Sequence, residues 1–195
     1  MLSETCAVAR STPFQHAVCN PLLNGATAEA AIAWFETQAP WKLKVASFYE
    51  QYECNLHEAD LPESIAAIIA PEFVRELSRR MLGPISGDEL KLTEVNAHKL
   101  VAGQTIRIHN DYIGGEETHR VLVQLNRGWD DANGGMLMLF SGPRAEDVAR
   151  IVRPTHASAT SFEISSSSFH AVSTIHSGER YTIVYSFRRA APGDC

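Results

Sequence analysis

Hydrophobic and polar positions change their period once along this chain. Before about residue 90 the apolar residues recur mainly at helical spacing, and after it they fall in short runs cut by turns. Ala28, Ala31, Ile32 and Phe35 share one side of a predicted helix from Ala26 to Gln38, with Pro40 just beyond its end. A second helical signal starts after Pro62, with Ile65, Ile68 and Ile69 on one face. Pro71 then suits a first-turn position, and Phe73, Leu77 and Met81 follow at spacing four until Gly83-Pro84 stops the helix. Aliphatic faces of this kind pack against a sheet. Ahead of them, Phe14, His16 and Val18 would share a face of a short extended segment ending at Asn20-Pro21. Residues 41–60 mix periods two and three to four through Trp41, Leu43, Val45, Phe48, Tyr49 and Tyr52, which predicts a strand followed by an irregular segment.

The second half reads as strands over Leu90 to Leu100, Gln104 to His109, His119 to Asn126, Met136 to Phe140, a short piece near Ile151, Ala159 to Ile164, Phe169 to Ser173 and Arg180 to Phe187. Gly103, Gly128, Gly134-Gly135, Gly142 and Gly178 punctuate them. About eight short strands at this spacing suggest a jelly roll or barrel rather than a parallel sheet. The fold class expected is therefore α+β: mainly β with N-terminal helices that brace the sheet. With no linker, repeat or extended low-complexity tract, residues 1–195 form one expected domain, 1–89 supplying helical support and edge strands and 90–189 the core.

Composition narrows the partners. The chain has 195 residues, 45% hydrophobic and 21% charged, with a formal net charge of −6, so no broad basic surface is available for nucleic acid. Cys6, Cys19, Cys54 and Cys195 lie far apart without a zinc-ribbon spacing, and Met1 to Cys6 lacks the basic and apolar regions of an export signal. No apolar run approaches a membrane span. Reduced thiols and a cytoplasmic location are expected; the oligomeric state leaves no trace in the sequence.

The candidate chemistry centres on Arg107-Ile108-His109-Asn110-Asp111-Tyr112, read as a strand ending in a His-x-Asp pair. Side chains two apart on a strand share a face, so His109 and Asp111 could aim an imidazole nitrogen and a carboxylate oxygen at one metal ion. Chance supplies such a short motif readily, and its context carries the reading. A facial site needs a third donor from elsewhere and open positions for substrate or oxygen. His170 is the expected donor. If its strand and the next lie side by side, the turn at Gly178 folds Arg180 back toward the metal, where its guanidinium forms a planar fork for a carboxylate. Thr182 would add a hydroxyl on the same face.

With these residues in place, roughly residues 92 to 189 resemble the 2-oxoglutarate and iron(II)-dependent oxygenases, in their prolyl-4-hydroxylase-like branch. The resemblance rests on His109-x-Asp111, on the run from His119 to Trp129, on Gly134-Gly135-Met136-Leu137 and on the His170 to Arg180 pairing. It implies a double-stranded β-helix in which His109, Asp111 and His170 hold Fe(II). The iron would be chelated by 2-oxoglutarate, whose distal carboxylate pairs with Arg180, with O2 as the oxidant and ascorbate as an optional reductant. Family members often carry a tyrosine where this chain has Gln124, which makes Gln124 a polar substitute and Leu137 an apolar wall in the cosubstrate pocket. Retention of the acid at Asp111 favours hydroxylation over halogenation, while desaturation and ring closure use the same ligands.

The function expected is thus oxidation of an amino-acid, peptidyl or small-metabolite substrate with 2-oxoglutarate converted to succinate. Two alternatives stand beside it: a non-catalytic metal- and 2-oxoglutarate-binding sensor jelly roll, and a cupin-type metal-dependent hydrolase or isomerase. Arg107 and Tyr112, flanking the metal motif, are candidate substrate contacts. Other features take ordinary roles. His57 sits in a solvated acidic loop with Glu53, Glu58 and Asp60; His98 could face the pocket but is read as a hydrogen-bonded structural residue; His119, His156 and His176 are surface or strand-end residues. Trp129 and Asp130-Asp131 belong to a turn. The loop Ile113 to Glu117 could cover the site or be a plain exposed turn.

Overall fold

A computed structural model describes residues 1–114 and 116–190. Its strands and helices run β1 (Val8–Arg10), β2 (His16–Cys19), α1 (Gly25–Thr37), β3 (Lys42–Val45), β4 (Glu50–Asn55), α2 (Glu63–Ile69), α3 (Pro71–Met81) and β5 (Leu90–Val101). They continue as β6 (Ile106–His109), β7 (His119–Gln124), β8 (Leu137–Phe140), β9 (Val148–Val152), β10 (Ala159–Glu163), β11 (His170–Val172) and β12 (Glu179–Arg189). The strands form two antiparallel sheets, one of eight strands in the order β1-β2-β10-β7-β12-β5-β4-β3 and one of four in the order β6-β11-β8-β9. From β5 to β12 the chain repeatedly crosses between the sheets, which makes the jelly roll anticipated from the strand spacing.

Local chemistry explains the helices. The Asn24 side chain caps α1 by accepting the Thr27 amide at 2.9 Å. Pro71 breaks the second helical signal in two, because a residue before proline avoids the helical region: Ala70 is extended (ψ 147°) and α3 starts at Pro71 itself. Trp34, Phe35, Ile65, Ile68, Phe73 and Leu77 pack on one face of the large sheet against Val95, Val121, Val123, Tyr181, Ile183, Tyr185 and Phe187. Each fully buried side chain of this size contributes roughly 1.5–3 kcal/mol. Strand alternation on β12 then sends Arg180, Thr182 and Val184 the other way, into the space between the sheets.

Three readings from the sequence need correction. Residues 41–60 form two strands, β3 and β4, paired as a hairpin at the sheet edge. β3 is the expected strand, and β4 stands where an irregular segment was expected. β1 was not anticipated: its residues are all exposed and pair with β2 at the opposite edge. Finally, β11 and β12 are not neighbours. β11 pairs with β6 and β8 in the small sheet and β12 with β5 and β7 in the large one, so His170 and Arg180 approach across the sandwich.

His119, expected at the surface or at a strand end, starts β7 and is fully buried, and its Nε2 has no partner among the described residues. Burial lowers its pKa to about 4 from 6.5. Between these values the unfolded chain binds a proton that the folded chain refuses, so stability is lost as pH falls from 6.5 toward 4, by up to about 3 kcal/mol from this residue. His119→Gln should flatten the fall in melting temperature over that window; an equally steep profile in the variant would show that His119 is not its source.

Candidate active site

Two backbone irregularities bring the His-x-Asp pair to the interior, and simple strand alternation is not the cause. A register shift between β6 and β11 (Ile106 opposite Val172, His109 opposite His170) turns both Ile106 and His109 toward the space between the sheets. β6 then ends at His109, and Asp111 adopts a left-handed backbone (φ 57°) that returns its carboxylate to the histidine.

The result is a compact donor cluster. The ligand atoms of His109, Asp111 and His170 all lie within 4.8 Å of one another. His109 Nε2 is 3.3 Å from Asp111 Oδ1, and His170 Nε2 is 3.0 Å from Asp111 Oδ2. Each imidazole is fixed through its other nitrogen, His109 Nδ1 to the Arg107 carbonyl at 2.8 Å and His170 Nδ1 to the Ser168 carbonyl at 2.9 Å. With Nδ1–H donating to backbone, both Nε2 lone pairs face the cluster, the tautomer that a metal requires.

Arg120 was not singled out in the sequence, and it completes this group. Its guanidinium donates to Asp111 Oδ2 at 2.5 Å and to Glu117 Oε2 at 2.8 Å. Burial by itself would raise the Asp111 pKa. The adjacent His109 and His170 rings, which donate to it only when they carry a second proton, and the charge of Arg120 outweigh it and hold the carboxyl well below the usual range. Asp111 is therefore a carboxylate at neutral pH.

Beside the cluster opens a cavity of about 350 Å³. Arg180 lies in its wall, 3% exposed, with Nε donating to the Gly135 carbonyl at 2.9 Å and Nη1 to Thr182 Oγ1 at 2.7 Å. Among the described residues no carboxylate pairs with it, and burial alone lowers its pKa to about 10. Gly135 makes this approach feasible: at φ 68° a Cβ there would sit 2.9 Å from Arg180 Cδ. Thr182 Oγ1 donates onward to Gln124 Oε1 at 3.0 Å. Gln124 thus stands behind Thr182 and orients it, without itself lining the cavity, whereas Leu137 does line it.

The two flanking residues fall elsewhere. Arg107 faces away from the cavity and its guanidinium donates to the Ser47 carbonyl; Tyr112 is half exposed and outside the lining. Ile113 reaches the cavity, while Gly115, in the middle of the loop considered as a cover, lies outside the described residues. Of the remaining histidines, His156 sits 3.2 Å from Glu29, His176 is exposed, and His98 lines the cavity.

The sequence reading also missed the flank contributed by the β3–β4 hairpin. Tyr49 bridges to Ile106, the Arg107 amide donates to the Phe48 carbonyl at 2.8 Å, and the Phe48 ring stacks on His109 at 4.4 Å. Glu53, expected in an acidic loop, lies on β4 and faces the cavity with Lys44 bound at 3.1 Å. An aromatic residue in an irregular-looking segment carries no signal of which histidine it will cover.

Comparison with known proteins agrees with this layout. Residues 95–188 match the sequence profile of the 2OG-Fe(II) oxygenase superfamily. No curated protein is similar enough in sequence to count as a relative. Among solved structures, a prolyl-4-hydroxylase from Pseudomonas putida superposes with TM-score 0.68 at 20% identity, over 90% of this chain and 93% of that one. A prolyl hydroxylase from Trichoplax adhaerens, solved with a hypoxia inducible factor peptide, gives 0.71 at 13% identity over 89% and 83%. A viral collagen prolyl hydroxylase from Paramecium Bursaria Chlorella virus-1, solved with 2-oxoglutarate, gives 0.66 at 14% identity over 90% and 96%. Residues 95–188 thus match the 2OG-Fe(II) oxygenase superfamily, a family that uses Fe(II), 2-oxoglutarate and O2, and the chain as a whole has the fold of the prolyl hydroxylases.

Proposed function

We propose that the protein is an Fe(II)- and 2-oxoglutarate-dependent hydroxylase acting on an amino-acid, peptidyl or small-metabolite substrate, with His109, Asp111 and His170 as the iron ligands and Arg180 as the anchor of the cosubstrate. The observation that carries this reading is the buried guanidinium of Arg180, held among the described residues by Gly135 and Thr182 without an acid, in the wall of the cavity that the donor cluster faces. A buried charge is costly unless paired, so such a group is complementary to a carboxylate brought by a ligand. A cupin-type hydrolase or isomerase has no use for it.

Two imidazoles and one carboxylate form the donor set of a facial iron site, with remaining positions for cosubstrate and oxygen. When bound, iron with 2-oxoglutarate and O2 supplies the oxidising chemistry, and the cosubstrate leaves as succinate and CO2. The chain does the rest. Backbone carbonyls lock both imidazoles in the ligating tautomer, and Arg120 fixes the Asp111 carboxylate. Arg180 with Thr182 sets the register of the cosubstrate, while Leu137, Val172, Val184 and Phe48 keep bulk water from the reacting centre.

The reading is tested by loading the protein with Fe(II) and following 2-oxoglutarate. Oxygen-dependent formation of succinate is expected, accelerated by the true substrate. Binding of both Fe(II) and 2-oxoglutarate without turnover across a wide substrate panel would instead indicate the sensor.

A further inference from the structure

Arg180 is tied through Nη1 to Thr182 and through Nε to the Gly135 carbonyl, and its stem meets a residue that the sequence places in a turn. Gly135 has no side chain. On the point where one would begin, three groups converge: Ile175 Cδ1 at 2.8 Å, Arg180 Cδ at 2.9 Å and Trp129 Cζ2 at 3.1 Å, so isoleucine, arginine stem and indole crowd one small space. The indole is fixed there. Its Nε1 donates to the Gly134 carbonyl at 2.9 Å, and at Gly178 the corresponding point is 3.7 Å from Cζ3. Trp129 thereby bridges the entry to β8, whose Gly135 carbonyl holds Arg180, and the turn into β12, which carries Arg180 itself. It is half-buried and does not line the cavity, standing behind the arginine.

The separation of the guanidinium from the donor cluster selects the length of diacid that the cavity takes. Retreat of the arginine stem away from the cluster is opposed on one side by Ile175, fully buried and bridged to Gly134, and on the other by the indole. A wall that stays in place discriminates one methylene by about 10- to 200-fold, and a wall free to move back loses that discrimination. We infer that Trp129 is the positioning residue that sets cosubstrate length, holding Arg180 where a five-carbon 2-oxo diacid fits and a six-carbon one does not; the inference rests on the oxygenase reading. The indole touches no ligand and acts through Arg180. A tryptophan with a merely structural role would, when truncated, weaken both diacids and the metal alike.

Calorimetry on the anaerobic, Fe(II)-loaded protein with 2-oxoglutarate and 2-oxoadipate tests this without turnover. The wild type should prefer the shorter diacid by at least about tenfold. Trp129→Ala should weaken 2-oxoglutarate about tenfold and leave 2-oxoadipate unchanged or tighter, Trp129→Phe should restore the preference, and Fe(II) affinity should be the same throughout. Equal binding of the two diacids by the wild type, or an equal loss for both in Trp129→Ala, would overturn the inference while leaving the oxygenase reading intact. A wild type that binds neither diacid would remove that reading and the inference with it. A second measurement leaves Trp129 in place. The protein is labelled with 5-fluorotryptophan and loaded with diamagnetic Zn(II) instead of iron, and its three indoles are assigned through Trp34→Phe and Trp41→Phe. 2-Oxoglutarate should shift the Trp129 fluorine resonance and leave the other two. A Trp129 resonance indifferent to bound 2-oxoglutarate would overturn the inference even where Trp129→Ala fails to fold.

Discussion

Arg180→Met should lower the affinity for 2-oxoglutarate more than about 100-fold while leaving the ligand-free protein as stable as the wild type or more so. The two halves come from one fact. In the ligand-free fold the guanidinium is buried against a carbonyl and a hydroxyl but, among the described residues, no acid, so the charge is desolvated without an opposite charge beside it. A methionine of similar volume but shorter reach fills most of the same space, loses two hydrogen bonds and removes that cost, a trade near zero or favourable. In the complex the balance reverses, because the distal carboxylate of the cosubstrate would be left in a dry pocket without a counter-charge, a loss of about 3–5 kcal/mol. Calorimetry and thermal unfolding read the two quantities separately. A strongly destabilised variant would mean that Arg180 holds the fold together, and an unchanged affinity would mean that it does not hold the cosubstrate.

The second large effect is expected at Asp111. Asp111→Ala removes the one donor that both imidazoles face, and Fe(II) affinity should fall by well over about 100-fold, beyond the loss typical of residues that only orient ligands. Stability should fall too, though by less than the ~3–5 kcal/mol of a fully stranded charge, because Arg120 keeps Glu117 at 2.8 Å. Metal binding is measured by equilibrium dialysis and stability by denaturant unfolding. Retained iron at wild-type affinity would exclude Asp111 as a ligand.

What the sequence revealed, and what it hid, follows from where each residue draws its environment. The helices and most of the eight strands from Leu90 onward were legible because they bury one face, and burial writes a period into the chain; the largely exposed β9 showed only as a short piece near Ile151. β1 buries nothing and left no period. His109, Asp111, His170 and Arg180 could be nominated from spacing and resemblance. The means that bring them together could not: the register shift in β6 and the left-handed backbone at Asp111 are local departures from strand geometry. Arg180 reaches the cluster from the facing sheet, where the sequence suggested an adjacent strand. Arg120 was hidden for a different reason. An arginine in a strand looks ordinary until its partner, Asp111, is turned back onto it.

The central claim is that one cavity joins an iron site to a 2-oxoglutarate anchor, and a single comparative titration addresses it. 2-Oxoglutarate is added under anaerobic conditions to the wild-type protein with and without Fe(II). Binding of one equivalent that is markedly tighter with the metal is expected, since the cosubstrate would then be held at both ends. Failure of 2-oxoglutarate to bind the iron-loaded protein, or binding indifferent to iron, would contradict the account.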